Sequence, residues 1–214
     1  MEKFSVKDYK NACKEYKEKF VALDNVLYDL AKKYPRHKCY AEIHAKLWVF
    51  GRTYATGIER QISTKHSKGF QGKSMTLLAE HFWKNRQDIE ATLAMLHGVE
   101  EPLDSEKLKV ISETHGQLLR IVQRKCRNGM SPRSFVSKYL HFHCPAVPIY
   151  DSVAVSRLRK KYSGERQPKT PNLPGADQRY GDFVLRFLQF YQDVHRSGQK
   201  VSVKLLDNYL LAPA

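Results

Sequence analysis

Long apolar runs, paired cysteines and acidic side chains are all scarce in this 214-residue sequence. No stretch approaches the ~18 uninterrupted apolar residues of a membrane span, which argues against a membrane protein of the helical kind. Met1-Glu2-Lys3 leads into a charged amphipathic segment, so no apolar leader is expected there. The four cysteines, Cys13, Cys39, Cys126 and Cys144, are scattered without a CxxC pair. That spacing argues against a disulfide scaffold and for reduced thiols in a cytoplasmic protein. Phosphate-cradling Gly-rich motifs, a nucleophile elbow and HExxH are missing as well. Nor do apolar and polar residues alternate convincingly, so no sheet is expected.

What remains is basic and rich in core-forming side chains. Lys and Arg number 37 against 22 Asp and Glu, a formal net charge of +15. Self-repulsion of such an excess opposes compaction, and an anionic polymer is the usual compensating partner. Nucleic acid is therefore expected, ahead of a membrane surface. With 42% hydrophobic and 11% aromatic residues, the chain can bury a sizeable core and is no disordered basic tail.

Helical periodicity predicts an all-α fold of about eight helices. Tyr9, Cys13, Tyr16, Phe20, Leu23, Leu27 and Leu30 mark one long helix. Ile43, Leu47, Phe50, Tyr54 and Ile58 mark a second, and Met75 through Leu96 a third, with Arg86 interrupting its stripe. Asp104 or Ser105 caps a fourth, whose inner face runs from Leu108 to Cys126. Ser131 as cap and Pro132 at the first helical position open a fifth, ending near His143. Asp151-Ser152 caps a sixth through Leu158, Phe183 to Val194 make a seventh closed by Gly198, and Ser202 precedes a last one. Neither the basic loop 63–73 nor the Pro-rich loop 163–177 divides the chain. Residues 1–214 read as one helical domain, with room for two lobes around a cleft.

The segment from Arg127 to Lys161 carries the most chemistry. It reads as a helix end, a tight turn at Gly129, a helix, an extended link from Pro145 to Pro148, and Asp151 at a helix start. Two helices joined by a glycine turn present N–H groups and a positive helix terminus, which suits a DNA phosphate. A carboxylate delivered by a stiff link to a helix N-terminus is held in place, where the helix dipole favours negative charge.

This order resembles that of the helix-hairpin-helix DNA glycosylases. Gly129-Met130-Ser131 stands where that family has Gly-hydrophobic-Gly, and Pro148-Ile149-Tyr150-Asp151 where it has Pro-hydrophobic-Asp, with Val153 and Arg157 following. The likeness spans about one-sixth of the chain. Ser131 departs from the second glycine, Tyr150 is an added residue, and Arg133 takes the place of the Schiff-base lysine of bifunctional members. The resemblance implies that Asp151 stabilises the oxocarbenium-like sugar as the base leaves, or activates the attacking water. It further implies a monofunctional enzyme without cofactor, acting on double-stranded DNA and leaving an abasic site. Gly129, Ser131, Arg133, Tyr150 and Arg157 would contact the DNA. Lys138, thirteen residues before Asp151, is the alternative amine for a lyase reaction; otherwise it is an exposed or phosphate-contacting helix lysine. The string SFVSKYLHFHCPAVPIYDS is also similar to bacterial anti-phage glycosylases that excise glucosylated hydroxymethylcytosine, which points to phage-modified DNA.

Other clusters are open to two readings each. Gly51 and Gly57 lie within one expected helix, beside Arg52, Tyr54, Glu59 and Arg60. Each mid-helix glycine costs about 1 kcal/mol relative to alanine, so close approach of a helix or of a ligand is expected. These residues form either a pocket wall or a packed helix with a surface ion pair. Phe70 and Gln71, on a lysine-flanked loop, either fill the stack vacated by a flipped base or fold back on the core. His141 and His143, two apart on a helix, point to different sides and leave no metal site, even with His37, Cys39 and Cys144. Beside the enzyme stand two non-catalytic readings, a DNA-binding module and an RNA- or tRNA-binding helical protein.

Overall fold

The computed structural model describes residues 4–53, 56–63, 73–163 and 175–212. Among these residues there are eleven α-helices and no strand; Ile62 and Cys126 form an isolated antiparallel bridge. The excess over eight arises because three of the expected helices are each broken in two.

The first expected helix is α1 (Val6–Lys19) and α2 (Val21–Lys33). They part at Phe20, whose φ is stretched to −119° with ψ −22°. The stripe changes face there, and Phe20 and Leu23 remain 43% and 41% exposed instead of joining the core. The second becomes α3 (Tyr40–Thr53) and α4 (Ile58–Gln61). Gly57 is thus no mid-helix residue; at φ +68° it sits in the left-handed region and opens α4. Thr56 stabilises the break, its Oγ1 donating to the Gly51 carbonyl at 2.6 Å. The third becomes α5 (Lys73–Lys84) and α6 (Arg86–Ala94), separated at Asn85. There the side-chain amide donates to the His81 carbonyl at 2.8 Å, competing with the helical ladder.

The remaining helices are α7 (Ser105–Gln123), α8 (Arg133–His143), α9 (Ser152–Lys161), α10 (Gln178–Arg196) and α11 (Val203–Leu211). Asp104 and Asp151 cap α7 and α9 with their side chains, within the expected pairs Asp104 or Ser105 and Asp151-Ser152, and Ser202, expected only to precede α11, caps it. Ser131 is not the cap of α8. Pro132 holds that position without a side-chain bond, and the Ser131 hydroxyl accepts instead from the Gln123 amide at 3.1 Å. Cys126 lies beyond the end of α7, half-buried.

Helix α8 is the centre of the molecule. Its residues from Phe135 to Phe142 are all buried, and it packs on α2, α3 and α7. The Tyr139 ring meets Phe50, Phe82, Phe135, His37 and His143. Around this axis α3 packs on α5, α1 on α11, and α10 on α7 and α9. One apolar cluster runs continuously from Tyr9 to Leu210. Where α7 passes residues 175–177 the approach is so close that a Cβ on Gly116 would sit 2.2 Å from the Gly175 carbonyl oxygen. Among the described residues no helix is long and apolar enough to cross a membrane.

Candidate functional site

The turn between α7 and α8 is built on two successive left-handed residues, Asn128 (φ +50°) and Gly129 (φ +64°), within a short 3-10 turn, Arg127–Gly129. Gln123 ties it down, donating to the Gly129 carbonyl at 3.0 Å and to Ser131. Arg124 and Arg127 flank the turn as exposed cations, while the exposed Arg120 donates to the Gly175 carbonyl at 2.6 Å. Gly129 itself is exposed, so its backbone faces solvent between these charges.

The link from α8 to α9 is fixed along its length. Ala146 to Ile149 are buried, and three side chains satisfy the backbone there. His141 Nδ1–H donates to the Val147 carbonyl at 2.8 Å, the Tyr180 hydroxyl donates to the Pro148 carbonyl at 2.7 Å, and the Tyr150 N–H donates to Ser137 Oγ at 2.9 Å. The Tyr180 ring is itself stacked on His115 at 3.6 Å. Asp151 therefore emerges from a held segment. It is half-buried, and its Oδ1 accepts the Val153 N–H at 2.9 Å as cap of α9.

Lys138 of α8 is only 6% exposed. The reading of Lys138 as an exposed or phosphate-contacting lysine is thus corrected: α8 is central, and nearly all its positions face protein. Burial pushes the Lys138 ammonium below its ordinary pKa; Asp151 first and Asp207 second oppose that shift, and Lys204 adds to it. The sequence reading missed Asp207, Lys204 and Asp24. Lys204 Nζ lies 2.9 Å from Asp24 Oδ2 and 3.7 Å from Asp207 Oδ2, with side chains 11%, 0% and 4% exposed. Burial raises the Asp207 carboxyl to about 6, with Lys204 and Lys138 pulling the other way. A signal for Asp207 existed, since with Val203, Leu206 and Leu210 it completes an i, i+3, i+4, i+7 inner face on α11. A charged residue at such a position is buried only with partners.

The other expected contacts lie apart from this cluster or are already engaged. Arg133 makes a two-pronged ion pair with Asp177, the cap of α10, at 2.7 and 2.8 Å. The Tyr150 ring packs edge-on against Phe183 at 5.4 Å. Arg157 donates to the Tyr209 carbonyl at 3.3 Å. It lines a groove of about 490 Å³ with Phe4, Asp8, Glu15, Lys161 and Tyr209, and neither Asp151 nor Lys138 is part of that groove. Arg52 pairs with Glu59 at 2.6 Å and stacks 3.7 Å above Trp48, while Arg60 is exposed. Gly51 admits α5, for a Cβ there would meet Met75 Cε at 2.8 Å. Tyr54, Phe70 and Gln71 lie outside the described residues.

The histidines take separate partners. His141 Nε2 accepts from the Tyr28 hydroxyl, whereas His143 Nδ1–H donates to the Tyr139 carbonyl at 2.8 Å and its Nε2 accepts from Lys46 at 3.2 Å. Lys46 is fully buried, donating also to the Tyr34 carbonyl at 2.8 Å. No group of three potential metal ligands occurs among the described residues, and none of the four cysteines is bonded to another.

No protein-family model matches this chain, and no curated protein and no solved structure is significantly similar to it.

Proposed function

We propose that this chain is a DNA N-glycosylase that hydrolyses the bond between a modified or damaged base and its deoxyribose. The observation that carries the reading is the fixed placement of Asp151, a half-buried carboxylate at the end of a link whose backbone is bonded to His141, Tyr180 and Ser137. Cleavage of an N-glycosidic bond develops positive charge on the sugar, and a preorganised anion stabilises that charge most where water is scarce. Asp151 supplies the anion, and its bond from the Val153 N–H fixes its orientation. Water is the nucleophile, because Arg133 is held by Asp177 and offers no amine. The exposed Arg124 and Arg127, beside a turn whose backbone faces solvent, suit the phosphates of double-stranded DNA. Phage-modified DNA carrying glucosylated hydroxymethylcytosine, to which the sequence resemblance points, is the first substrate to try. The same cations favour a second reading, a nucleic-acid-binding module without catalysis.

Asp151→Asn separates the two. Asparagine caps a helix about as well as aspartate, so the fold should lose at most ~1 kcal/mol. A lost preorganised charge of this kind is worth roughly 3–4 kcal/mol in the transition state. Single-turnover excision from modified duplexes, read as alkali-labile sites, should therefore fall at least ~100-fold while DNA affinity holds or rises. Full activity in folded Asp151→Asn protein would refute the catalytic role. Binding without excision by the wild type on every modified duplex would favour the module.

A further inference from the structure

Helix α1 presents Asp8, Asn11 and Glu15 along one face, and α9 presents Arg157, Lys160 and Lys161 along one of its own. Between them runs the groove of about 490 Å³, with α11 beneath, since α1 and α9 both pack on α11. An acidic wall therefore faces a basic one, and among the described residues no ion pair crosses the gap. Glu15 turns instead to Lys19 of its own helix at 2.8 Å, and Arg157 donates to the Tyr209 carbonyl at 3.3 Å. Asp8 and Lys160 are exposed and have no ion-pair partner among the described residues. The floor is aromatic. Phe4 is half-buried and meets Tyr9, Phe190 and Tyr209 at interplanar angles of 58°, 72° and 64°, so none of these rings lies flat on it. Lys161 Nζ stands 5.6 Å from the centre of the Phe190 ring, which sets a cation beside this floor.

We propose that the groove binds a free guanine nucleotide, with the base against Phe4, its N–H edge on Asp8, and the phosphate on Arg157, Lys160 and Lys161. The volume is that of a small-ligand site. A carboxylate only accepts hydrogen bonds. Guanine alone among the common bases offers it two adjacent donors, N1–H and N2–H, with no acceptor between them. On adenine, cytosine and uracil an acceptor stands beside the donor and would face the carboxylate. Phe4 supplies a ring for stacking, and the cations of α9 suit phosphate oxygens. A continuous strand fits worse, because its next phosphate would have to pass the carboxylates of α1. The proposal is independent of the glycosylase reading, since Asp151 lies outside the groove.

Calorimetric titration of the full chain with guanosine monophosphate, adenosine monophosphate, guanosine and inorganic phosphate tests it. Guanosine monophosphate should bind at least ~10-fold tighter than adenosine monophosphate. Lys160→Ala should weaken the guanine nucleotide about tenfold and leave guanosine unaffected. Asp8→Asn should weaken it by a similar factor and bring the two nucleotides to nearly equal affinity. The sign of that change is decisive. If Asp8 merely lay beside a phosphate site, removing its charge would strengthen both nucleotides, and that result would overturn the proposal. Both side chains are exposed, so the variants should keep the fold, and Lys10→Ala, exposed on α1 outside the groove, should change nothing. Equal affinity of the wild type for both nucleotides and inorganic phosphate, or no saturable binding at millimolar concentration, would also overturn it. Stronger displacement of the nucleotide by single-stranded DNA than by guanosine monophosphate itself would give the groove to a strand and overturn it equally.

Discussion

At the scale of single residues, Asp151 was legible because its placement is local. A proline-containing link, a cap and the following helix are neighbours in sequence, and together they fix one carboxylate. Lys138 was legible as a candidate but not in its setting, since nothing within α8 says that the whole helix is central. Asp24, Lys204 and Asp207 were not found, because the partners that make their burial tolerable stand about 180 residues apart, within one loop-closure cost of each other only once folded. Their neighbourhood bears on the nucleophile. Burial pushes the Lys138 ammonium below its ordinary pKa, with Asp151 and Asp207 opposing that shift, and the proposed mechanism gives the attack on the sugar to water and not to this amine. Borohydride added during turnover should therefore trap no protein–DNA adduct from the wild-type chain. A trapped band that vanishes in Lys138→Ala would make Lys138 a covalent nucleophile and the enzyme a lyase.

At the scale of elements, caps were read more accurately than breaks. Asp104, Asp151 and Ser202 each accept an N–H two or three residues ahead, and so short-range a bond is written in the sequence. The interruptions at Phe20 and Asn85 involve neither glycine nor proline; packing against other helices decides them, and periodicity alone continues through. Glycines show the same division. Gly51 was expected at a close approach and is found at one, whereas Gly57 needs its positive φ for a turn. Gly116, inside α7, drew no notice although residues 175–177 press directly on it. Gly116→Ala should cost about 1–3 kcal/mol, since backbone must move to admit the methyl group. For a chain of this size that is a fall in Tm of roughly 2–10 °C. Gly181→Ala is the control, because its Cβ would meet nothing within 4 Å in the interior of α10. That substitution should leave Tm unchanged or raise it by a few degrees. Equal melting curves for the two variants would contradict the packing described for α7.

At the scale of the whole molecule, periodicity indicated an all-helical chain and composition a large core with excess basic charge, while the polar interior was invisible to both. A net charge of +15 says what kind of partner suits the surface; it does not say that histidines sit in the core. His115, His141 and His143 are held near 3 by burial, with backbone carbonyls opposing the shift. A group whose folded pKa is depressed this way carries a proton more readily when unfolded. Stability is therefore full above the unfolded value of about 6.5 and falls as the pH drops through 6 and 5. Each such histidine removes about 1.4 kcal/mol per pH unit in that window. Asp207 acts in the opposite direction, because its raised carboxyl takes up a proton near 6 in the folded state, and burial of Glu101 adds to that opposition. His37, likewise pushed down to about 3 by burial, adds a fourth share, so the loss at pH 5 exceeds the opposing gain from Asp207 and Glu101 and is comparable with the whole stability of many domains. The DNA-free protein should thus melt roughly 10–20 °C lower at pH 5 than at pH 7 and unfold between about pH 4 and 5. Circular dichroism melts at half-unit pH steps measure this directly. Replacing His141 with glutamine should make the pH dependence shallower by about one histidine's share, even if that variant starts from a lower Tm. A Tm that stays flat from pH 7 to pH 5 would mean that these imidazoles are free to take up protons in the folded chain.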